Sequence, residues 1–356
     1  MTFSLAIGPR TPNGWFHTIS DVLITTKNSS GRKILLPHMI SEQILQFGNS
    51  HPYEIDQKTV IFGRTLFQYS GNVRSCKQVL DKYRYRSNNG EEFYPLSEAV
   101  KECNLTKEDD ESTLIATHFI SQKFEMQSSK YRFIEGLITT GDEEYFFLTE
   151  GTGAKHFLEG LIDDSKYEEP RAIQLRLLDR ITEVTVEPFF QENASLAKKY
   201  GSWFELVLLT PSGFKKLPSA IQFWFRRNHS AQYEPGPLTF SQYLDHDLLI
   251  HTMFPLADGS SHHNMLRARD PLRRGQAVLN QKNANMGEIV DFSPHLLTHF
   301  LVDATTGRTR FIQLERASLT SPINGGIRLG TDRGSGGTEF RPEYDAAAID
   351  LVNSQT

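Results

Sequence analysis

Basic and aromatic side chains are concentrated in one segment of the sequence, FKKLPSAIQFWFRRNH at 214–229, and a second basic run, RARDPLRR, follows at 267–274. Lys and Arg neutralise phosphates, and aromatic rings stack on unpaired bases at ~1–3 kcal/mol per base. If both runs fold onto one exposed face, they form a surface for nucleic acid, with single strands favoured. The predicted contact residues are Lys215, Lys216, Trp224, Phe225, Arg226, Arg227, Arg267, Arg269, Arg273 and Arg274.

A second group of residues has the side-chain types of a divalent-metal site. Carboxylates and imidazoles are common ligands for such ions, and a bound metal can activate water for hydrolysis. This group offers an alternative function, a metal-dependent hydrolase or nuclease. Its candidate ligands are Asp245, His246, Asp247, His251, His262 and His263.

Short catalytic motifs give little further support for an enzyme. Asp56 and Lys58 form the DxK tripeptide that restriction-type nucleases use, and the sequence alone predicts a surface turn there. No GxxxxGK[ST] phosphate cradle and no GxSxG elbow is present, so neither an NTPase nor acyl transfer is predicted. The leading interpretation is therefore a non-catalytic binding or scaffold protein that needs no cofactor.

Hairpin signals recur along the chain, where β-rich runs flank short polar turns. Three hairpins are predicted, and they join 21–27 to 32–37, 131–138 to 144–149, and 299–303 to 308–315. Further strands are predicted at 58–69, at 203–210 and on both sides of Arg180.

Helical spacing is less frequent. Helices are predicted at 73–83, 98–103, 191–200 and 241–254. Because strands and helices do not alternate regularly, we expect an α+β fold of mostly antiparallel β-hairpins and meanders with a few short helices.

Residues 144–189 carry one family resemblance. The run EYFFLTEG, followed by RAIQLRLLDRITEVTVEPFF, resembles the strand, loop and DRI-containing strand of WYL-type modules. Tyr145, Phe146 and Leu148 stand where that pattern has its aromatic and aliphatic core. The resemblance implies a small barrel of the kind found in regulators that sense nucleic acids.

Composition and charge bound the remaining possibilities. The 356 residues are 38% hydrophobic and 23% charged, which predicts a globular chain with a core. We expect three regions: an acidic β-rich domain at 1–195, a basic α+β domain at 196–319 and a Gly-rich irregular tail at 320–356.

The tail and the absence of a long apolar run give predictions about partners. The segment 320–341 is expected to order against protein partners or further copies of the chain. No stretch is long and apolar enough to span a bilayer, so we expect a cytoplasmic complex subunit without a membrane partner. A self-assembling, viral-shell-like structural protein is a third possibility.

Overall fold

A computed structural model describes the larger part of the chain, which divides into two compact units. The first unit comprises Met1–Leu36, Glu42–Lys216 and Arg269–Arg274, and the second comprises Pro37–Ser41, Leu217–Ala268 and Gly275–Thr356. The described residues are 3–9, 17–26, 31–88, 94–103, 113–120, 123–128, 134–140, 143–162, 180, 184–185, 187–189, 201, 203–210, 213–226, 233–273, 296–303, 309–315, 327–328 and 339–340.

The first unit contains a six-stranded sheet and a four-stranded sheet. The pairs from β11 to β9 in the larger sheet and all pairs in the smaller sheet are antiparallel. The larger sheet has the order β12-β11-β2-β1-β10-β9, and the smaller one follows chain order from β5 to β8. A separate two-stranded ribbon pairs β3 with β4. The strands are β1 (Ser4–Pro9), β2 (His17–Asp21), β3 (Leu23–Thr26), β4 (His51–Ile55), β5 (Thr59–Phe62), β6 (Thr65–Ser70), β7 (Thr113–Ile120), β8 (Lys123–Ser128), β9 (Ile134–Thr140), β10 (Glu143–Glu150), β11 (Phe204–Thr210) and β12 (Gly213–Leu217).

Helices α1 (Val73–Asn88) and α2 (Leu96–Glu102) cover one face of the four-stranded sheet. The side chain of Asn72 accepts a hydrogen bond of 3.0 Å from the backbone N–H of Arg74, which satisfies a free donor where α1 begins. Four buried residues, Cys76, Val79, Leu80 and Tyr83, recur at helical spacing and pack with Phe67 and Tyr69 of β6.

The other face of the four-stranded sheet packs against the six-stranded sheet. Ala6 of β1, Ile115 of β7 and Leu148 of β10 form one apolar cluster between the two sheets. The Gln68 amide of β6 donates a hydrogen bond of 2.9 Å to the Ile19 carbonyl oxygen of β2. A strand that is covered on both faces is buried along its whole length. All six residues of β6 are buried, as this packing requires.

Helix α3 (Ala154–Ile162) contacts the segment that leads into β1. Its Phe157 ring stacks on Phe3, with ring centroids 4.3 Å apart. Phe3, which precedes β1, also contacts the Phe204 ring of β11 and lies in the core of the first unit.

The second unit is a six-stranded sheet in the order β16-β15-β14-β13-β17-β18. Its neighbours are antiparallel except β13 and β17, which run parallel. A short ribbon pairs two further strands. The strands are β13 (Ser219–Arg226), β14 (Tyr233–Leu244), β15 (Asp247–Pro255), β16 (Ser261–Ala268), β17 (Leu296–Asp303), β18 (Thr309–Glu315), β19 (Ile327–Arg328) and β20 (Glu339–Phe340).

The sheet-rich, mostly antiparallel character with few short helices confirms the coarse fold prediction. Two of the predicted hairpins are present, as β9 with β10 and β17 with β18. The first is wrong, because β3 pairs with β4 rather than with 32–37. The predicted helix at 191–200 lies outside the described residues, as do residues 320–326 and most of the tail.

The predicted helix at 241–254 is also wrong, because this segment forms the end of β14, a turn and β15. Asp245 and His246 have φ values of 49° and 73°, in the left-handed region. Two successive residues with positive φ make a tight turn whose twist suits a β-hairpin, so the turn sets the structure and the apolar spacing does not.

The WYL-type resemblance is not supported by the structure of 144–189. After β10 comes α3, and the described residues 184–185 and 187–189 are helical where the resemblance implies a strand.

Among the residues that the structure describes, no helix has the length and apolar character to cross a membrane.

Candidate functional site

A buried ion pair lies in the first unit. Lys58 Nζ donates a hydrogen bond of 2.6 Å to Asp21 Oδ1, and neither side chain is exposed to solvent. Asp21 is the last residue of β2 in the six-stranded sheet, and Lys58 directly precedes β5 of the four-stranded sheet. Lys58 Nζ also donates to the Leu23 carbonyl oxygen at 2.6 Å.

Both oxygens of the Asp21 carboxylate are held by backbone donors. The Phe3 N–H donates to Oδ1 at 2.9 Å, and the Gly201 N–H donates to Oδ2 at 2.8 Å. Residue 201 has to be glycine for this approach, because a Cβ there would lie 2.7 Å from Leu23 Cβ and 2.9 Å from Asp21 Oδ2. The carboxylate is thus fixed in position by three segments of the chain.

A second buried carboxylate, Glu205 of β11, accepts hydrogen bonds from the backbone at Lys58 and Thr59. Its Oε2 accepts the N–H groups of Lys58 at 2.5 Å and Thr59 at 3.1 Å. Its Oε1 accepts the Thr59 hydroxyl at 2.5 Å and Lys216 Nζ at 3.0 Å. Lys216 also donates to the Gln57 side-chain oxygen and to the Thr59 carbonyl oxygen.

Burial lowers the pKa of Lys58 from its ordinary value of 10.5. The physical cause is desolvation, since a charged ammonium loses its hydration inside the protein. The Asp21 carboxylate opposes this change, and so do Glu205 and Asp56 through their negative charge. The arrangement therefore places an amine of reduced basicity beside a fixed carboxylate.

The sequence prediction of a surface turn at Asp56 and Lys58 is wrong, because both residues are buried. Asp21 and Glu205 were not predicted as functional residues. One signal was available: Asp21 interrupts the apolar run TISDVLI, and a charge inside a strand pattern needs a partner. The sequence could not identify that partner, which lies 37 residues away.

The predicted nucleic-acid residues are divided between the two units. Lys215, Lys216, Arg269 and Arg273 belong to the first unit, with Lys215 exposed and Lys216 bound to Glu205. Trp224, Phe225 and Arg226 are in β13 and Arg267 is in β16, both in the second unit. Arg227 and Arg274 lie outside the described residues. The predicted common surface stays a prediction.

Two of these cations already contact carboxylates. Arg267 Nε donates to Asp247 Oδ2 at 2.6 Å, and Lys216 Nζ donates to Glu205 Oε1 at 3.0 Å. A phosphate at Arg267 or Lys216 would have to compete with a carboxylate that each already contacts. Lys215, whose side chain is exposed, is therefore the more informative of the described positions for testing this surface.

The residues proposed for the alternative metal site lie in the second unit, in a turn and in hydrogen-bonded pairs of side chains. Asp245 and His246 form the β14–β15 turn. His251 Nε2 lies 3.0 Å from His263 Nδ1, and His262 Nε2 lies 2.9 Å from Asn264 Oδ1. Within the described ranges, no three His, Cys, Asp or Glu side chains are grouped so that they could hold a metal ion.

Burial also changes the acidity of His251. It lowers the pKa of the imidazole to about 3, with a smaller contribution from the neighbouring His263. The Phe240 ring packs edge-on against His251, with centroids 4.7 Å apart. His251 is therefore a neutral core side chain at ordinary pH.

Comparisons with known proteins give weak similarities only. No family model matches the sequence, and no curated protein is significantly similar to it. Among solved structures, Anbu (ancestral beta-subunit) from Yersinia bercovieri is 14% identical with a TM-score of 0.37, covering 60% of this chain and 86% of its own. An Anbu (Gly-1) mutant from Hyphomicrobium sp. strain MC1 has the same identity and TM-score, with 66% and 86% covered.

A DUF1028 protein from Silicibacter pomeroyi is 12% identical, with a TM-score of 0.25 and coverage of 61% of this chain and 79% of its own. TM-scores this low do not establish a shared fold or function.

Proposed function

We propose that the protein is a hydrolase that acts on a carboxylic acid derivative, an amide or an ester, with Lys58 as the general base. The observation that supports this proposal is the shared acceptor at Asp21. Its Oδ1 accepts both the Lys58 ammonium and the backbone N–H of Phe3. Asp21 thereby connects the Lys58 amine, whose pKa is lowered, to the segment that leads into β1.

A hydroxyl residue precedes Phe3 in the sequence. Thr2 lies outside the described residues, and its peptide bond joins it to the nitrogen that Asp21 holds. A threonine hydroxyl is a weak nucleophile unless a base removes its proton, and a desolvated lysine is one such base. We assign Thr2 as the nucleophile on these grounds.

Three described hydroxyl groups of this region, those of Ser4, Ser20 and Thr59, already have hydrogen-bond partners. Ser4 Oγ and Ser20 Oγ lie 3.0 Å apart, and the Gln68 amide donates to Ser20 Oγ at 2.9 Å. The Thr59 hydroxyl donates to Glu205. These contacts argue against Ser4, Ser20 and Thr59 as the nucleophile.

The chemistry balances with the chain's own groups and water. The Thr2 oxygen attacks the acyl carbon while its proton passes to neutral Lys58, and that proton is then given to the departing amine or alcohol. The same lysine then takes a proton from water as the water oxygen attacks the acyl carbon, the bond from that carbon to the Thr2 oxygen breaks, and the lysine returns the proton to the Thr2 oxygen, which releases the acid and free Thr2. Asp21 orients the amine and stabilises its ammonium form.

A buried ion pair alone is weak support for stability, because desolvating two charges offsets much of their attraction. A buried pair whose lysine has a lowered pKa is therefore a candidate for function. Lys58 needs to contact only the nucleophile, so its lack of solvent exposure is compatible with this role.

Covalent labelling tests the proposal directly. The full chain is treated with a fluorophosphonate and, separately, with a β-lactone, and adducts are located by mass spectrometry in the tryptic peptide that ends at Arg10. We expect one adduct per chain on Thr2, retained in Thr2→Ser and lost in Thr2→Ala and Lys58→Met. Ser4→Ala is the matched control and should label as the wild type does. An unlabelled wild type, or an adduct that survives Thr2→Ala, would overturn the proposal.

A further inference from the structure

The backbone of Lys58 is fixed by a hydrogen bond to a side chain as well as by a hydrogen bond to a neighbouring strand. Lys58 itself precedes β5, and its carbonyl oxygen accepts the Tyr69 N–H at 3.1 Å. Its own N–H donates to Glu205 Oε2. The position of Lys58 relative to Asp21 therefore depends on a carboxylate 147 residues away.

We infer that Glu205 is a positioning residue for the Lys58 base, and that Lys216 holds Glu205 in the geometry this requires. The inference rests on the proposed function, because it concerns how the same lysine is placed. Neither residue is a candidate to contact the substrate, since both act through the segment 57–59.

The contacts of Glu205 account for its placement. Its side chain is fully buried and accepts four hydrogen bonds, two from backbone N–H groups, one from the Thr59 hydroxyl and one from Lys216. Hydrogen bonds to charged groups are shorter and stronger than neutral ones, so they fix a backbone segment closely. A neutral amide in its place would present one acceptor oxygen and two donor hydrogens to a site made of donors.

Lys216 completes the arrangement from the neighbouring strand. Its side chain is 17% exposed, and its ammonium bridges Glu205, the Gln57 side chain and the Thr59 carbonyl oxygen. The Lys216 ammonium thus links the Glu205 carboxylate to Gln57 and Thr59, the residues on either side of Lys58 in the sequence. Replacing it leaves the Glu205 charge buried without its ion-pair partner.

The Glu205 charge also favours the ammonium form of Lys58. Removal of that charge lowers the pKa of Lys58 further. A purely structural Glu205 would change stability and leave the pH dependence of the Lys58 reaction unaltered. The pH profile therefore separates the two roles.

The experiment measures the rate of fluorophosphonate labelling against pH for the wild type, Glu205→Gln, Lys216→Met, Thr59→Val and Thr59→Ser. We expect Glu205→Gln to slow labelling on the order of tenfold to a hundredfold, as a small misplacement of a catalytic group does, and to displace the profile toward lower pH. Thr59→Ser keeps the hydroxyl and should restore the rate that Thr59→Val loses. Lys101→Met removes an exposed ion pair with Glu98 and is the control.

The outcomes are distinguishable. If Thr2→Ala and Lys58→Met label normally, the proposed function is wrong. If those variants fail to label while folded Glu205→Gln and Thr59→Val keep the wild-type rate and profile, the positioning role alone is overturned. Should Glu205→Gln not fold, as judged by circular dichroism, the Thr59→Val and Thr59→Ser pair decides the question.

Discussion

The backbone N–H of Gly201 donates a hydrogen bond of 2.8 Å to Asp21 Oδ2, across 180 residues of sequence. The contact is possible because residue 201 has no side chain: an added Cβ would lie within 3.0 Å of two side-chain atoms and of the Leu23 nitrogen. Asp21 is thereby held through Oδ2, the oxygen that Lys58 does not contact.

Gly201→Ala should destabilise the protein by about 1–3 kcal/mol, because the new methyl group overpacks a buried site and displaces the Asp21 carboxylate. The free energy of unfolding is measured by urea denaturation. Gly259→Asn is the control, since residue 259 has open space around it and a left-handed backbone that Asn tolerates. We expect this control to cost less stability than Gly201→Ala, because nothing lies within 4 Å of a Cβ at residue 259. Equal destabilisation of both variants would contradict the packing argument.

Lys58→Met should destabilise the protein by about 3–5 kcal/mol, because it leaves the Asp21 carboxylate buried without its cation. The double variant Asp21→Asn and Lys58→Met removes both charges and should be destabilised by less than the sum of the two single effects. Denaturant unfolding of the three variants and the wild type completes the cycle. Strict additivity would show that the two side chains are not coupled.

Protonation of His251 should make stability depend on pH. Its pKa is lowered from 6.5 to about 3 in the folded chain, so the unfolded chain binds the proton more readily. The stabilising contribution is complete above pH 6.5 and is lost as the pH falls toward 3. Urea unfolding between pH 4 and 7 should therefore show a shallower slope for His251→Gln than for the wild type. His246→Asn at the exposed turn is the control, and identical slopes for wild type and His251→Gln would contradict this prediction.

Single-stranded nucleic acid binding remains a prediction from the sequence. Reversal of charge at Arg226 and Arg227 should weaken binding and reduce the slope of log affinity against log salt by about 0.7 for each phosphate that is no longer neutralised. Fluorescence polarisation with a labelled single-stranded oligonucleotide measures both quantities. Lys101→Glu, an exposed change on α2, is the matched control. Affinity and salt slope that match the wild type would count against this surface.

Local patterns predicted the elements that depend on local interactions. The spacing of Cys76, Val79, Leu80 and Tyr83 predicted α1, because neighbours on a helix face are three and four residues apart. The hairpins β9–β10 and β17–β18 were predicted from polar turns between β-rich runs. The helix predicted at 241–254 failed because two left-handed turn residues outweighed apolar spacing that suits a strand equally well.

The candidate site could not be predicted in the same way. Lys58 and Asp56 lie in a polar sequence that favours a turn, and only the packing of two sheets encloses them. The order β12-β11-β2-β1 brings Glu205 and Asp21 to neighbouring strands, and no local signal specifies that order.

The amino-acid sequence by itself determined a β-rich, mostly antiparallel chain, the hairpins β9–β10 and β17–β18, and the face that α1 buries, because these follow from composition, from turn residues and from periodicities of two and 3.6 residues. Only the tertiary structure decided that Lys58 is buried against Asp21 and held by Glu205. The reason is physical: desolvation and ion pairing act between groups close in space, and here those groups are 37 and 147 residues apart in the chain.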